Sequence, residues 1–316
     1  MPAPSLTVAI PTYLRDEVLV ATIRQVWAQD PQPDELLIID QSPRHDSYTE
    51  SFLAEADTAG RLRWVRQPEP SLTKARNRAL TEARGQVVLF IDDDVVLPPG
   101  FLRAHIAEYA DLSVSAVTGP TPTPGEEPTL APPVPVGNPI AAALTIPSSR
   151  LGRVTGIPRL HGGNHSVRRR TAIEAGGYDE NFEASALLED MDFAFRATHR
   201  GALLIFEPAV WLTHLRASSG GCRIPERAEW SESQKIVSAL VFFIRHLAND
   251  SAPASARRTV LKMIVRAGPL RRENVVKLWR QPVAWFALIR AYREAHRRCA
   301  SGVKSPFLPP NSTAAL

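Results

Sequence analysis

Short apolar runs alternate with amphipathic stretches along the first part of the chain. The apolar runs predict buried strands, and the stretches between them carry apolar residues at helical spacing. Such an alternation is typical of a mostly parallel, doubly wound α/β sheet. The predicted strands are residues 6–10, 35–40, 63–66 and 86–91, and the predicted helices are residues 16–29, 48–59 and 73–82.

The pattern changes after residue 118. Residues 120–139 combine many Pro and Gly residues with no periodicity, which predicts a long loop. A polar turn at 161–164 comes next, and from about residue 232 the pattern predicts helices with intervening basic residues. The elements predicted between them are helices at 169–175 and 189–199 and strands at 202–206 and 209–213.

We therefore expect an α/β domain over residues 1–230, divided at residue 118, and a helical extension over 231–316. Residues 251–316 hold 13 Lys and Arg residues but two Asp and Glu residues, so the extension is strongly basic. Two interpretations fit basic helices that also carry Trp and Phe: they bind an anionic membrane surface, or they cap the main domain. No nucleic-acid recognition motif accompanies the charge, and we expect no nucleic-acid partner.

The apolar run, the N-terminus and the cysteines indicate the cellular compartment in which we expect the protein. The apolar run at 236–244 lies between Lys235 and Arg245 and is shorter than the roughly 20 residues that a membrane-spanning helix needs. The N-terminus lacks the pattern of a signal peptide. Cys222 and Cys299 form neither a disulfide framework nor a thiolate zinc site, and they suit a reducing compartment. We expect a cytoplasmic protein, either free or peripheral on the inner face of the membrane.

Three consecutive aspartates, Asp92, Asp93 and Asp94, follow the fourth predicted strand. Crowding raises the pKa of carboxyl groups unless a cation lies among them, and Mg²⁺ or Mn²⁺ takes carboxylate oxygens as ligands. Thr12 and Asp40 also lie at strand ends, and the carboxyl ends of parallel strands share one edge of a sheet. A solvated acidic turn is the alternative, but the position after a buried strand favours a metal site.

Five segments in this order resemble the motifs of family 2 glycosyltransferases, over roughly residues 5–220. The resemblance implies the GT-A fold, a nucleotide-diphosphate sugar donor and inversion at the anomeric carbon. The segments that carry it are Pro11-Thr12-Tyr13, Asp40-Gln41-Ser42, Ala75-Arg76-Asn77, Asp92-Asp93-Asp94 and Glu189-Asp190.

The resemblance implies roles for the residues at the donor. Pro11, Thr12 and Tyr13 would line the nucleoside pocket, and Asp40 would accept a hydrogen bond from the base. Gln41 departs from the usual family pattern and leaves the identity of the base open.

Further donor contacts follow from the later segments. Arg76 and Asn77 would lie near the sugar and phosphate of the donor. Arg223, beyond two glycines, would clamp the diphosphate.

The same resemblance implies a different role for each aspartate of the triplet. Asp94 would coordinate the metal most directly, Asp92 would contact both the metal and the donor, and Asp93 would bind the donor sugar. His214 follows a predicted strand, and its imidazole would be a further ligand that suits Mn²⁺.

The Glu189-Asp190 pair resembles the acidic pair that carries the general base. Asp190 would be that base, and a carboxylate at a helix start is stabilised as an anion by free backbone N–H groups. Simple helix capping is the alternative, and both can hold at once. Glu189, Gly163 and Asn164 would face the acceptor and the donor sugar.

These predictions describe an inverting, metal-dependent glycosyltransferase that acts on the hydroxyl of a saccharide or lipid-linked acceptor, in cell-surface polysaccharide or glycolipid synthesis. A nucleotidyltransferase is the first alternative, but residues 11–14 are not the Gly-rich phosphate loop it would need. A non-catalytic protein that binds nucleotide sugars is the second alternative.

Overall fold

A mixed sheet lies at the centre of the fold in the computed structural model, which describes residues 3–126, 139–145, 152–183, 186–221, 228–248, 252–267 and 282–309. Its strands are β1 Leu6–Thr12, β2 Glu35–Asp40, β3 Arg63–Arg66, β4 Val87–Ile91, β6 Val114–Thr118, β7 Val154–Thr155, β8 Asn164–Arg168 and β9 Leu203–Phe206. Within the described residues their order is β3-β2-β1-β4-β8-β6-β9-β7, and β5 Val95–Val96 pairs with β10 Thr213–His214 in a separate ribbon.

Helices cover both faces of this sheet and form a C-terminal group. They are α1 Glu17–Trp27, α2 Ser47–Thr58, α3 Leu72–Glu82, α4 Phe101–Glu108, α5 Pro139–Thr145, α6 Arg169–Glu174, α7 Glu189–His199, α8 Ala228–His246, α9 Ala254–Ala267 and α10 Pro282–Ala300. Side-chain caps set two of the early starts: Asp46 accepts a hydrogen bond from the Thr49 N–H at α2, and Ser71 accepts one from the Lys74 N–H at α3.

The first four long strands are parallel, which confirms the doubly wound, mostly parallel prediction. β1 lies between β2 and β4, and β3 continues the parallel set beyond β2. Their carboxyl ends therefore meet at one edge, where Thr12 ends β1, Asp40 ends β2 and the aspartate triplet follows β4.

An antiparallel strand that the pattern did not predict separates β4 from β6. β8 begins in the segment predicted as a polar turn, and Ile91 of β4 lies opposite Asn164. Its sequence is polar because its neighbours bind its side chains: His105 and Tyr109 both contact the Ser166 hydroxyl at 2.9 Å. Buried polar partners, rather than apolar alternation, stabilise this strand.

The apolar residues of the central strands alternate between two cores, as the period of a strand requires. Val8 and Ile38 pack in the core beneath α1, α2 and α4, while Ala9 and Leu37 pack with α3 and α7 on the other face. Because both faces are covered, these strands are apolar at nearly every position.

The predicted strand at 209–213 is wrong. The chain makes a turn after β9, in which the Val210 N–H donates to the Glu207 carbonyl, and strand pairing begins only at Thr213. Val210 and Leu212 are buried because the turn packs against Gly119, so their apolar character reflects burial in a turn and not a ladder.

The C-terminal helices pack on the main domain through a third apolar cluster. Phe195 of α7 lies in one cluster with Phe242 of α8 and Ala295 of α10. Arg298 of α10 also donates to the Asn181 carbonyl at 2.6 Å. The division of the chain at residue 230 stays a prediction. None of the helices in the described ranges is long and apolar enough to cross a membrane.

Candidate active site

A cavity lies at the carboxyl edge of the sheet, beside Asp92. Its volume is about 310 Å³. It lies where the end of β4, the turn before β8, the start of α7 and strand β10 meet. The lining residues are Asp92, Thr121, His161, Gly162, Gly163, Asp190, Leu212 and His214.

Asp92, Asp94 and His214 form a cluster in which the nearest side-chain atoms lie within 4.8 Å of one another. The His214 Nε2 atom is 3.1 Å from Asp94 Oδ1 and 3.7 Å from Asp92 Oδ2. The pairing of His214 with Val95 in the β5–β10 ribbon brings the histidine beside the aspartates. The fold therefore brings together His214 and the aspartates after β4, which lie far apart in the sequence.

The protonation of this cluster follows from its surroundings. Burial raises the pKa of Asp92, and the charges of His214 and Arg76 oppose that shift only in part. Burial also raises the pKa of Asp94. The hydrogen bond and charge of His214, together with the hydrogen bond from the Ala217 N–H, outweigh that effect, and the pKa of Asp94 is lowered overall. The Asp94 hydrogen bond raises the pKa of His214 in return.

Two carboxylates and one imidazole fit a hard divalent ion. Mg²⁺ and Mn²⁺ accept carboxylate oxygens, and Mn²⁺ also accepts imidazole nitrogen. The half-buried carboxyl group of Asp92 has a raised pKa, so a cation at this point would favour its charged form. Within the described part of the chain, this is the one group of ligand side chains with the spacing for a metal ion.

Asp190 lies on the wall of the same cavity, at the start of α7. Its Oδ2 atom accepts a hydrogen bond from the Gly162 N–H at 2.8 Å, and its Oδ1 atom accepts one from the Met191 N–H at 2.7 Å. Leu188, the residue before the helix, has a φ of 71°, a left-handed conformation that is rare for leucine. Such backbone strain is concentrated at functional sites, and here it precedes the acidic pair.

Gly162 and Gly163 form the turn before β8 and let the side chains of Arg76 and Asp92 approach it closely. A Cβ atom on Gly163 would lie 2.2 Å from Asp92 Oδ2, and one on Gly162 would lie 2.7 Å from an Arg76 guanidinium nitrogen. Only a residue without a side chain fits at these two positions while the neighbouring groups keep their places.

The family model for glycosyl transferase family 2 matches residues 7–173, more than half of the chain, and includes β1, β4 and the glycine turn. The chain belongs to glycosyl transferase family 2. No curated protein sequence gives a match.

Solved structures of glycosyltransferases share the GT-A fold with this family 2 chain. The mannosyltransferase PcManGT from Pyrobaculum calidifontis, in complex with GDP-Man and Mn²⁺, has a TM-score of 0.54 at 18% identity, over 96% of this chain and 77% of that one. Residues 1–349 of S. aureus TarS have a TM-score of 0.59 at 15% identity, over 93% and 80% of the two chains. GalNAc-T7 with UDP, GalNAc and Mn²⁺ has a TM-score of 0.61 at 14% identity, over 96% of this chain and 56% of that one.

Arg76 of this glycosyltransferase lies beneath the glycine turn rather than in the open cavity. It is 1% exposed, and its Nη1 atom donates to Glu189 Oε1 at 2.6 Å. Burial and the nearby Asp190 charge raise the pKa of Glu189 to about 8, and Arg76 opposes that rise. The Arg76–Glu189 pair therefore packs against Gly162 of the turn, next to Asp190, on the side away from the cavity. Direct contact of Arg76 with a donor stays a prediction, and it would require the turn to move.

Asn77 is part of a structural contact with the turn that follows α6. Its Nδ2 atom donates to the Tyr178 carbonyl at 2.8 Å, and its Oδ1 atom accepts the Tyr178 N–H at 2.8 Å. Asn164 is likewise fully buried, and its amide donates to the carbonyls of Pro120 and Val210. In this conformation both amides hold backbone, and their predicted contacts with sugar stay predictions.

The end of β1 and the residues after it, 12–15, which we call the first loop, lie beside the Asp92–Asp94–His214 cluster. The Thr12 hydroxyl donates to Asp93 Oδ2 at 2.7 Å, and Arg15 forms ion pairs at 3.3 Å with Asp93 and with Asp94. Burial raises the pKa of Asp93 to about 7, although Arg15 and Thr12 favour its charged form. The Tyr13 carbonyl accepts a hydrogen bond from the Gly221 N–H. Asp93 therefore contacts the loop rather than the cavity.

Asp40 is buried at the end of β2 with its oxygens engaged. Its Oδ2 atom accepts from Trp64, Arg66 and His45, each at 2.9 Å, and its Oδ1 atom accepts from the Ser42 N–H at 2.8 Å. A base could reach this carboxylate only by displacing one of these donors. The predicted role of Asp40 stays a prediction.

Arg223 lies outside the described residues. Two arginines near the site escaped prediction. Arg15 follows the first motif by two residues, where it resembles an arginine flanking a helix. Arg159 is close enough for the Asp190 charge to raise its pKa, but burial lowers that pKa to about 10. The sequence carries no signal for either, because the partners of each come from distant segments.

Proposed function

We propose that this family 2 protein is a metal-dependent, inverting transferase that moves a sugar from a nucleotide-diphosphate donor to an acceptor hydroxyl. One observation carries the proposal: Asp190 lines the same cavity as Asp92 and His214, two members of the Asp92–Asp94–His214 cluster. Direct displacement needs a base for the acceptor and charge stabilisation for the departing diphosphate within one site. The structural neighbours solved with GDP-Man, or with UDP and GalNAc, in each case with Mn²⁺, support this choice.

Asp190 would accept the proton of the acceptor hydroxyl as that oxygen attacks the anomeric carbon and the bond to the diphosphate breaks. The Gly162 and Met191 N–H groups fix its two oxygens, and so hold the carboxylate in one orientation. Asp92, Asp94 and His214 would hold Mg²⁺ or Mn²⁺, which when bound neutralises charge on the diphosphate. Attack on the face opposite the leaving group gives an inverted product without a covalent intermediate.

For the acceptor, we propose a saccharide or lipid-linked hydroxyl at the inner face of the membrane, within cell-surface polysaccharide or glycolipid synthesis. The outer face of α10 supports this proposal. Phe286 is 74% exposed and Ile289 is 46% exposed, and Arg290, Arg293 and Arg297 are exposed on the same side of the helix. A helix at an anionic leaflet inserts apolar side chains and contacts the headgroups with basic ones, and the exposed part of α10 carries both kinds.

The deciding experiment incubates the purified protein with UDP- and GDP-sugars, Mn²⁺ and a set of saccharide and polyprenyl-linked acceptors. We expect release of nucleoside diphosphate. NMR of the product should show an anomeric configuration opposite to that of the donor. Asp190→Asn should lower turnover by about 10²-fold or more while the Kd for nucleoside diphosphate with Mn²⁺ stays within twofold. Retained turnover in Asp190→Asn would exclude Asp190 as the base.

The same assay separates the alternatives. Release of inorganic pyrophosphate from a nucleoside triphosphate with a sugar phosphate would identify a nucleotidyltransferase. Tight binding of nucleotide sugars with no product from any donor and acceptor pair would identify a binding protein.

A further inference from the structure

We propose that Arg15 is a positioning residue that holds segment 215–221 against the donor side of the site. The inference rests on the proposed donor. Three groups surround its guanidinium: Nε lies 3.3 Å from Asp93 Oδ1, Nη2 lies 3.3 Å from Asp94 Oδ2, and Nη1 donates to the Ser219 carbonyl. The side chain is 6% exposed, so these contacts are shielded from water.

Segment 215–221 packs tightly on the loop that carries Arg15. A Cβ atom on Gly220 would lie 2.2 Å from the Leu14 carbonyl oxygen and 2.8 Å from the Arg15 Cδ atom. Gly220 has a φ of +75° and Gly221 a φ of +70°, conformations that favour glycine. The Gly221 N–H donates to the Tyr13 carbonyl at 2.7 Å. The segment therefore follows a close-packed path against this loop, in which glycine fits at both positions.

The same segment also holds a metal-ligand candidate. The Ala217 N–H donates to Asp94 Oδ2 at 2.8 Å, and the Leu215 N–H donates to the Asp94 carbonyl at 2.8 Å. Arg15 thus joins three parts of the site: the first loop, the aspartate triplet and the segment after His214. A guanidinium can contact three acceptors in one plane, whereas an ammonium concentrates its charge at one point.

This geometry separates two consequences of losing Arg15. The positive charge of the Arg15 guanidinium beside Asp93 and Asp94 repels a metal ion, so the loss of this charge should not weaken Mn²⁺ binding. Segment 215–221 would lose one of the contacts that hold it, the one to the Ser219 carbonyl, and a nucleoside diphosphate that depends on the first loop and this segment should bind less well. A general loss of folding would instead weaken both.

The test compares Arg15→Met and Arg15→Lys with the wild-type chain. Mn²⁺ binding is followed through the EPR signal of the free ion, and the affinities of UDP and GDP with Mn²⁺ are measured by calorimetry. Limited trypsin digestion reports the segment directly, because Arg216 lies within it and is exposed. Mass spectrometry separates cleavage after Arg216 from cleavage elsewhere.

Arg63→Met is the matched control. Arg63 also bridges two acids, Glu35 and Glu82, each at 2.8 Å, but these residues lie at the opposite edge of the sheet. The control variant should keep wild-type nucleotide affinity and wild-type cleavage after Arg216.

We expect Arg15→Met to bind Mn²⁺ at least as tightly as the wild type. It should bind the better of UDP and GDP about 10- to 100-fold more weakly, the range of a lost hydrogen bond to a charged group, and be cleaved faster after Arg216. Arg15→Lys should remain impaired, because charge alone does not restore the contact with Ser219. Full rescue by Arg15→Lys, or wild-type nucleotide affinity and cleavage in Arg15→Met, would overturn the proposal. If the wild type bound neither nucleotide, the proposed function would fail, and unchanged cleavage would separately overturn the role of Arg15.

Discussion

Replacing Gly163 with alanine perturbs the candidate metal site through a single methyl group. The added Cβ would lie 2.2 Å from Asp92 Oδ2 and 2.6 Å from its Cγ atom, against about 3.4 Å for an ordinary contact. Gly163 has no left-handed φ, so alanine meets no backbone strain at this position. The collision with Asp92 is therefore the whole perturbation.

The size of the effect follows from these distances. Asp92 must withdraw its Oδ2 atom by about 1 Å, and this is the oxygen that faces His214 at 3.7 Å. A misplacement of about 1 Å can cost about 10²-fold in rate, and a disturbed support of a metal ligand costs about 10- to 100-fold in metal affinity. We expect Gly163→Ala to weaken Mn²⁺ binding within that range and to keep the wild-type fold.

A double-mutant cycle isolates the cause. The Kd for Mn²⁺ is measured by EPR for Gly163→Ala, Asp92→Ala and the double variant, with circular dichroism as the check on folding. Because Asp92→Ala removes the colliding carboxylate, Gly163→Ala should add little in that background. An equal loss of affinity from Gly163→Ala in both backgrounds would refute the reasoning, since the damage would then not pass through Asp92.

Three further expectations concern the base, the core and the surface. Burial raises the pKa of Asp190, so kcat/KM should fall with decreasing pH along a limb that lies above the usual aspartate range, and a limb at about pH 4 would contradict this. Asp192→Asn removes the carboxylate that two buried arginines, Arg196 and Arg245, contact at 2.8 and 2.6 Å; it should cost about 3–5 kcal/mol and lower Tm, whereas Arg170→Gln in an exposed pair should not. Phe286→Ser should reduce co-sedimentation with phosphatidylglycerol vesicles about tenfold, while Leu112→Ser, at a site 66% exposed on the main domain, should not; equal binding by both variants would exclude α10 as the membrane contact.

The sequence predicted the parallel half of the sheet because those strands are buried on both faces. Their apolar runs, as in β1 and β4, are strong signals, and the polar residues at their ends predict the edge at which the candidate site lies. The antiparallel strand β8 gave no such signal. His165 and Ser166 are fully buried there, and their contacts with the Tyr178 hydroxyl and the His105 ring come from other segments of the chain.

Within the site, the carboxylates were predictable and their supports were not. Asp92, Asp94 and Asp190 belong to ordered motifs, whereas Arg15 became part of the site only through the fold. Arg76 was predicted at the donor, and its position under the glycine turn depends on how β8 and α7 meet. A local pattern predicts which groups carry chemistry, but burial and distant partners decide which of them face the cavity.

The carboxylates of the candidate site differ in how their charge is balanced, and this difference singles out Asp92. Asp94 has His214, Arg15 and a backbone N–H, and its pKa is lowered. Asp190 has two backbone N–H groups. Asp92 lies next to the cavity with the weaker 3.7 Å contact to His214, and its pKa is raised. A divalent ion would therefore stabilise the charged form of Asp92 more than that of Asp94, and the glycine at 163 matters because it leaves this carboxylate free to face the ion.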